Sequence, residues 1–326
     1  MGQQNQDMEA VVLAGGYATR LWPITRHRPK MLLPVGEQTV IDRILAELES
    51  DDRIDDVYLS TNERFADTFA EHLADSPFEK PQLSVEETID EDEKFGVVGA
   101  LAQLVDREGI EGEDLLVIAG DNLISFDISE FLNFYEEEKT STLAAYDVGT
   151  LADASAYGVI DVDGDRVRSF EEKPDDPPSS LVSIACYAFP SEDVQFEEYL
   201  AGDNNPDEPG WFIQWLQDRR PVRAFTFDGA WYDIGTPEGY LDAVAWALGG
   251  ENIVEPGATV ENTDLGANVH IMDGAHVTDS TLDRTLVFED AVISESTFRE
   301  SIIDRQSEVH GLDLAGALIG AHSELS

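Results

Sequence analysis

The sequence predicts an α/β protein: a doubly wound, mostly parallel sheet through residue 247, then a small coil of stacked short strands over residues 251–326. Two observations predict it. In the first stretch, short apolar runs with strand composition alternate with amphipathic segments, the order expected when strands are linked by covering helices. In the second, single aliphatic residues return every five or six positions. That repeat is too short to hold a helix and a strand.

Taken in order, strands are expected at residues 10–13, 56–60, 83–86, 115–119, 142–146, 182–189 and 222–227. Helical spacing falls at 39–49, 64–73, 98–107 and 128–138, and a further helix should begin near Pro237, with Thr236 placed to cap it. Ligands of such sheets bind beyond the carboxyl ends of the strands. The loops after 10–13 and 115–119 are therefore the places to look for chemistry. The final repeat runs through Val254, Val260, Leu265, Ile271, Val277, Leu282, Val287, Ile293, Phe298, Ile303, Val309, Leu314, Ile319 and Leu325, with Gly-Ala-x-Val units at Gly257, Gly266 and Gly274.

Composition narrows the function classes. The 326 residues include 68 acidic and 20 basic ones, a net charge of −48, with 42% hydrophobic residues. That is too apolar for disorder, and the acidic coat argues against nucleic acid or an anionic membrane as a partner, since both need basic patches. Self-repulsion of this size is relieved in molar salt, where the Debye length falls to roughly 3 Å; the sequence reads as a halophile's cytoplasmic protein. Residues 1–9 lack the basic and apolar regions of a signal peptide, and no apolar run approaches a membrane span. The one cysteine, Cys186, lies in an apolar run and reads as an inert buried thiol.

The loop after the first strand reads Leu13-Ala14-Gly15-Gly16-Tyr17-Ala18-Thr19-Arg20-Leu21, and a block Pro29-Lys30-Met31-Leu32-Leu33-Pro34 follows. Paired glycines let a backbone bend tightly and turn its N–H groups toward an anion. Arg20 and Lys30 add fixed cations, and lysine is scarce: only Lys30, Lys80, Lys94, Lys139 and Lys173 occur. The strand at 115–119 runs into Gly120-Asp121-Asn122, a carboxylate placed for a hard cation or an ordinary turn. Farther on stand Tyr157-Gly158-Val159, then Glu171-Glu172-Lys173-Pro174, which read either as a ligand site or as a hairpin about Asp163-Gly164-Asp165 ending in solvated charge. Trp231-Tyr232-Asp233-Ile234-Gly235-Thr236-Pro237 closes the series.

These motifs, in this order, resemble the sugar-1-phosphate nucleotidyltransferases, the nucleoside-diphosphate-sugar pyrophosphorylases, and especially the glucose-1-phosphate thymidylyl- and uridylyltransferases. The departure is Ala18, where that family usually has glycine; a positive φ there would strain the loop. The resemblance implies the reaction NTP + sugar 1-phosphate → NDP-sugar + pyrophosphate, with Mg²⁺ held by Asp121 and Asp233. It implies catalytic roles for Arg20 and Lys30. It implies nucleotide contacts from Leu13, Ala14, Gly15, Gly16, Thr19, Gly96, Gly99 and Asp121, and sugar-phosphate contacts from Tyr157, Gly158, Glu172 and Lys173. UTP or dTTP with glucose 1-phosphate is the expected pair. The alternative is GTP, as in mannose-1-phosphate guanylyltransferases, with Glu87 accepting from guanine's two neighbouring donors.

The C-terminal repeat resembles the hexapeptide repeats of left-handed parallel β-helices. It is expected to act in assembly, which makes the protein a homo-oligomer. Four of the six histidines, His270, His276, His310 and His322, lie in it. They leave open a second, acyltransferase reading, beside that of a non-catalytic subunit that senses sugar nucleotides.

Overall fold

A computed structural model of the protein describes residues 8–86 and 95–326. Its principal elements, in chain order, are β1 (Met8–Leu13), α1 (Val40–Ser50), β2 (Ile54–Asn62), α2 (Glu63–Asp75), β3 (Pro81–Glu86), α3 (Val97–Glu108), β4 (Asp114–Ala119), α4 (Ile128–Glu136), β5 (Thr142–Asp147), β6 (Gly158–Asp163), β7 (Arg166–Glu172), β8 (Leu181–Phe189), α5 (Phe196–Ala201), α6 (Pro209–Gln217), β9 (Arg223–Thr226) and α7 (Pro237–Leu248). Helix ends follow local chemistry. Asn62 caps α2 by accepting from the Phe65 N–H at 3.3 Å, and Thr236 caps α7 by accepting from the Gly239 N–H at 3.1 Å. Gly109 and Gly249 close α3 and α7 in the left-handed conformation.

Contacts divide the chain into two compact units. The first comprises Met1–Gly16, Arg43–Gly120 and Ile124–Trp231. It carries one sheet in the order β3-β2-β1-β4-β8-β5-β9-β7-β6. β3, β2, β1 and β4 pair in parallel. β8 then runs antiparallel to β4 and β5, and β6 and β7 form an antiparallel hairpin at the far edge. β1 is buried along almost its whole length, as expected for a strand between parallel neighbours, and its residues from Ala10 to Leu13 form an unbroken apolar run after Glu9. Leu101 and Leu104 of α3 and Phe212 of α6 pack with Phe189, Phe196 and Tyr199 in one core, where the Phe189 and Phe212 rings meet edge to face at 5.6 Å.

The second unit comprises Tyr17–Asp42, Asp121–Leu123 and Tyr232–Ser326. Its C-terminal part is a parallel β-helix. His276 pairs with Val292, Val292 with Glu308 and Glu308 with Glu324, so these coils take 16 residues (292 − 276, 308 − 292, 324 − 308), whereas the first takes 17 (276 − 259). Three rows of left-handed residues make its corners: Asn262, Asp279, Glu295 and Gly311; Asn268, Arg284, Glu300 and Gly316; Gly274, Asp290, Gln306 and His322. Most are not glycine. Each non-glycine corner costs about 1 kcal/mol or more, which the strand ladders and the buried aliphatics offset. The interior repeat residues Ile271, Val277, Leu282, Val287, Ile293, Phe298 and Ile303 are buried, whereas Val254, Leu314 and Leu325 on the end coils are exposed.

A second core lies in the same unit. Leu21, Ile24, Leu33 and Val35, from the segment that carries Arg20 and Lys30, pack with Tyr240, Leu241 and Val244 of α7 and with Met272, Leu286, Phe288 and Ile302 of the coils. Arg28 pins this packing: its guanidinium lies 4.4 Å from the centre of the Phe288 ring and pairs with Asp304, while its Nε donates to the Ile24 carbonyl at 3.1 Å. The Tyr240 hydroxyl donates to the Pro34 carbonyl at 2.7 Å. Among the described residues no helix is long and apolar enough to cross a membrane.

Candidate active site

Four sequence-predicted charges belong to the second unit. Arg20 lies in a single 3₁₀ turn, Thr19–Leu21, entered through Ala18 at φ 49° and ψ 42°. The alanine therefore occupies the left-handed conformation that glycine would adopt without strain, and the Thr25 hydroxyl helps hold it by donating to the Ala18 carbonyl at 2.8 Å. Lys30 opens another 3₁₀ turn, Lys30–Leu32, and is buried. Its ammonium forms an ion pair with the Asp121 carboxylate. Asp233 reaches the same cluster because the Ile234 N–H donates to the Asp121 carbonyl at 3.2 Å. A Cβ placed on Gly235 would lie 3.0 Å from Asp233 Oδ1 and 3.5 Å from Arg20 Nη2.

Burial pushes the Asp233 carboxyl above its ordinary pKa. The neighbouring Asp121 adds to the rise; Lys30 and Arg20 oppose it. Asp233 Oδ1 is buried with no hydrogen-bond partner. A buried, unpartnered carboxylate oxygen next to a second carboxylate and two cations is suited to a hard divalent ion. Mg²⁺ takes few protein ligands and completes its shell with phosphate oxygens and water, so two carboxylates suffice.

The loop residues Leu13, Ala14, Gly15 and Gly16, expected to contact the nucleotide, belong to the first unit. The Ala14 N–H donates to the Ser60 carbonyl at 2.7 Å, the Leu13 carbonyl accepts from the Gly120 N–H at 2.9 Å, and Asn62 Nδ2 donates to the Gly15 carbonyl at 2.8 Å. The loop backbone is thus tied to the carboxyl ends of β2 and β4. Glu86, the last residue of β3, is also buried there: a Cβ on Gly15 would lie 3.4 Å from its Oε1. The Ser60 hydroxyl donates to the same oxygen at 3.5 Å. Burial raises the Glu86 carboxyl, opposed by the charge of Arg107 and by Ser60. Glu87, the expected base reader, lies outside the described residues.

Gly96 opens α3 at φ 76° and Gly99 is buried within it. The N–H groups of Val97 and Val98 donate to the carbonyls of Asp207 at 3.4 Å and Pro206 at 2.9 Å, so the start of this helix is partly occupied by the chain itself.

The hairpin about Asp163-Gly164-Asp165 forms, and the remaining candidates stand at its open end, where Glu172 pairs with Gly158 across the two strands. The hairpin positions these residues, and its end is not simply solvated charge, since Lys173 is paired. Tyr157 packs its ring edge-on against Trp231 at 5.0 Å. Lys173 follows β7 in the left-handed conformation, with its N–H donating to the Tyr157 carbonyl at 3.0 Å, and its ammonium pairs with Glu208. Glu86 and Glu208 are the two charged groups that motif reading missed. Glu86 was adjacent to a named candidate; Glu208 stands in an acidic, proline-containing stretch, Asn205-Pro206-Asp207-Glu208-Pro209, with no motif around it.

Comparison with known proteins bears on this arrangement. A family model described as nucleotidyl transferase matches residues 9–248. A provisionally named mannose-1-phosphate guanyltransferase of Sulfolobus acidocaldarius is 32% identical over 235 residues, 72% of this chain and 61% of its own length. A glucose-1-phosphate thymidylyltransferase of Streptomyces griseus is 26% identical over 348 residues, 98% of this chain and 94% of its own. Among solved structures, a provisionally named glucose-1-phosphate thymidylyltransferase from Bacillus anthracis, in complex with sucrose, aligns with a TM-score of 0.64 at 26% identity, over 74% of this chain and 95% of that one. The chain spans 61% of the length of the Sulfolobus relative and of a second curated relative from Methanocaldococcus jannaschii. The family match runs from β1 to the end of α7 and takes in every candidate described here, and the chain belongs to the nucleotidyl transferase family.

Proposed function

We propose that this protein transfers a nucleotidyl group from an NTP to a sugar 1-phosphate and releases pyrophosphate. The observation that carries the reading is the single cluster of Arg20, Lys30, Asp121 and Asp233, with its unpartnered buried oxygen. The relatives named above supply the substrate class. A sugar phosphate's second pKa is about 6, so its oxygen is an anionic nucleophile near neutrality and the reaction needs no general base. Catalysis then reduces to positioning and charge neutralisation. Asp121 and Asp233 would hold Mg²⁺, whose chemistry is to neutralise charge on the phosphates. Arg20 and the Gly15–Thr19 loop would hold the departing pyrophosphate. Lys30, buried against Asp121, keeps a cation in place for the phosphates. Glu172 would accept from sugar hydroxyls while Lys173 meets the sugar's phosphate.

Glu86 favours GTP over the expected UTP or dTTP. An ionised carboxylate accepts only; guanine offers two adjacent donors, whereas uracil and thymine flank their one N–H with carbonyls. The decisive experiment is a pyrophosphate-release screen of four NTPs against several sugar 1-phosphates in molar KCl with Mg²⁺. In the same assay Glu86→Gln is expected to lower kcat/KM for GTP by about tenfold to a hundredfold and to narrow the gap to UTP. A variant that keeps full GTP preference removes Glu86 as the base reader.

The charge of −48 gives a further expected result. Molar KCl screens carboxylate repulsion that dilute buffer leaves intact, so the thermal midpoint should climb steeply with salt. A flat profile would remove the halophile reading.

A further inference from the structure

Glu172 is held where few carboxyls could fit. A Cβ on Gly210 would lie 1.7 Å from its Oε2 and one on Gly158 2.9 Å from the same atom, so two glycines make the space the carboxyl fills. Its own N–H donates to Gln214 Oε1 at 3.2 Å. Among the described residues the acidic neighbour in contact is Glu208, immediately before α6, which hydrogen-bonds the Glu172 side chain and also takes the ion pair from Lys173. Two carboxylates in hydrogen-bond contact need a proton between them. The other groups facing the pair are Lys173 at the end of β7 and Tyr187 on β8, whose phenol is pushed up by burial and by both carboxylates. Gly158 on β6, and Gly210 and Gln214 on α6, bring no charge.

Resting on the reading that Lys173 binds the sugar's phosphate, we propose that Glu208 is a positioning residue. It shares one proton with Glu172 and reserves the Lys173 ammonium until the phosphate displaces it. The consequence follows from charge. While the pair holds its proton, it bears one negative charge and the incoming dianion takes over Lys173. Once the proton is lost, two carboxylates face that dianion and compete for one lysine, so binding must first recover a proton. Burial, then the hydrogen bond and charge of Glu208, raise Glu172 to about 8, opposed by Lys173. The loss therefore falls above that pH. A monoester is already a dianion above about pH 7, so the substrate's own titration does not overlap.

The test is the pH dependence of both KM values between pH 6.5 and 9 in wild type and Glu208→Gln. In wild type, KM for the sugar 1-phosphate should stay level to about pH 8 and then rise roughly tenfold per unit, while KM for the NTP does not follow it. In Glu208→Gln a neutral amide donates to Glu172 permanently, and the alkaline rise should disappear. A purely structural role would shift KM equally at every pH and leave the rise in place. An unchanged rise in the variant, or a level wild-type profile in an enzyme that turns over, overturns the shared proton alone. Absence of turnover with every sugar 1-phosphate overturns it together with the functional reading.

Discussion

Asp121→Asn and Asp233→Asn should each lower kcat by roughly a thousandfold or more while the fold survives. Both side chains belong to the one cluster with Lys30 and Arg20, and Asp233 Oδ1 is buried without a partner. Asparagine keeps the volume and removes the charge. The two variants should also separate activity from stability. Burial raises the Asp233 carboxyl above its unfolded value, so the folded state binds that proton more tightly. Stability is then lost as pH rises from the unfolded pKa through the folded one. Removing the charge in Asp233→Asn should leave the thermal midpoint at pH 7 unchanged or higher, whereas Asp121→Asn leaves the buried Lys30 without its ion-pair partner and should lower it. An active enzyme in either variant removes the two-carboxylate site. Equal loss in Asp127→Asn, an exposed residue before α4, would mean that net charge, rather than position, governs the rate.

Much of this was legible in the residues because local chemistry and the fold agree. The runs at 10–13, 115–119 and 182–189 became strands because β-branched and aliphatic residues there are buried in the sheet. The five- to six-residue repeat became coils because only one aliphatic residue per side can point inward. Ala18 adopts a positive φ that glycine would adopt without strain, so the loop makes this turn at the expense of strain. What could not be read was any relation fixed by distant packing. Glu86 turns toward Gly15 because β3 joins the sheet through β2, and nothing in Ser84-Val85-Glu86 says so. Glu208 meets Lys173 only after the chain has passed through β8 and α5. The packing of Leu21, Ile24 and Leu33 against residues more than two hundred positions later was likewise invisible to motif reading.

That last packing gives the other large effect. Phe288→Ala should cost about 3–5 kcal/mol of stability, and activity should fall further than the folded fraction. Phe288 is fully buried in the core that holds Leu21, Ile24 and Leu33, and its ring carries the Arg28 guanidinium. Removing it leaves Arg28 without its platform and loosens the segment between Arg20 and Lys30, where small displacements matter because catalysis rests on placed charges. A chain ending at residue 250 should lose activity outright, since Met272, Leu286, Phe288 and Ile302 all go with it. Assembly alone would predict otherwise: a β-helix used only to join subunits could be weakened with little effect on a folded subunit's kcat. Measuring kcat of Phe288→Ala at a temperature where circular dichroism shows it fully folded separates the two. A wild-type kcat there would leave the coils with a role in assembly only. A lowered kcat, with KM for the sugar phosphate unchanged, would show that the β-helix supports the loop carrying Arg20 and Lys30.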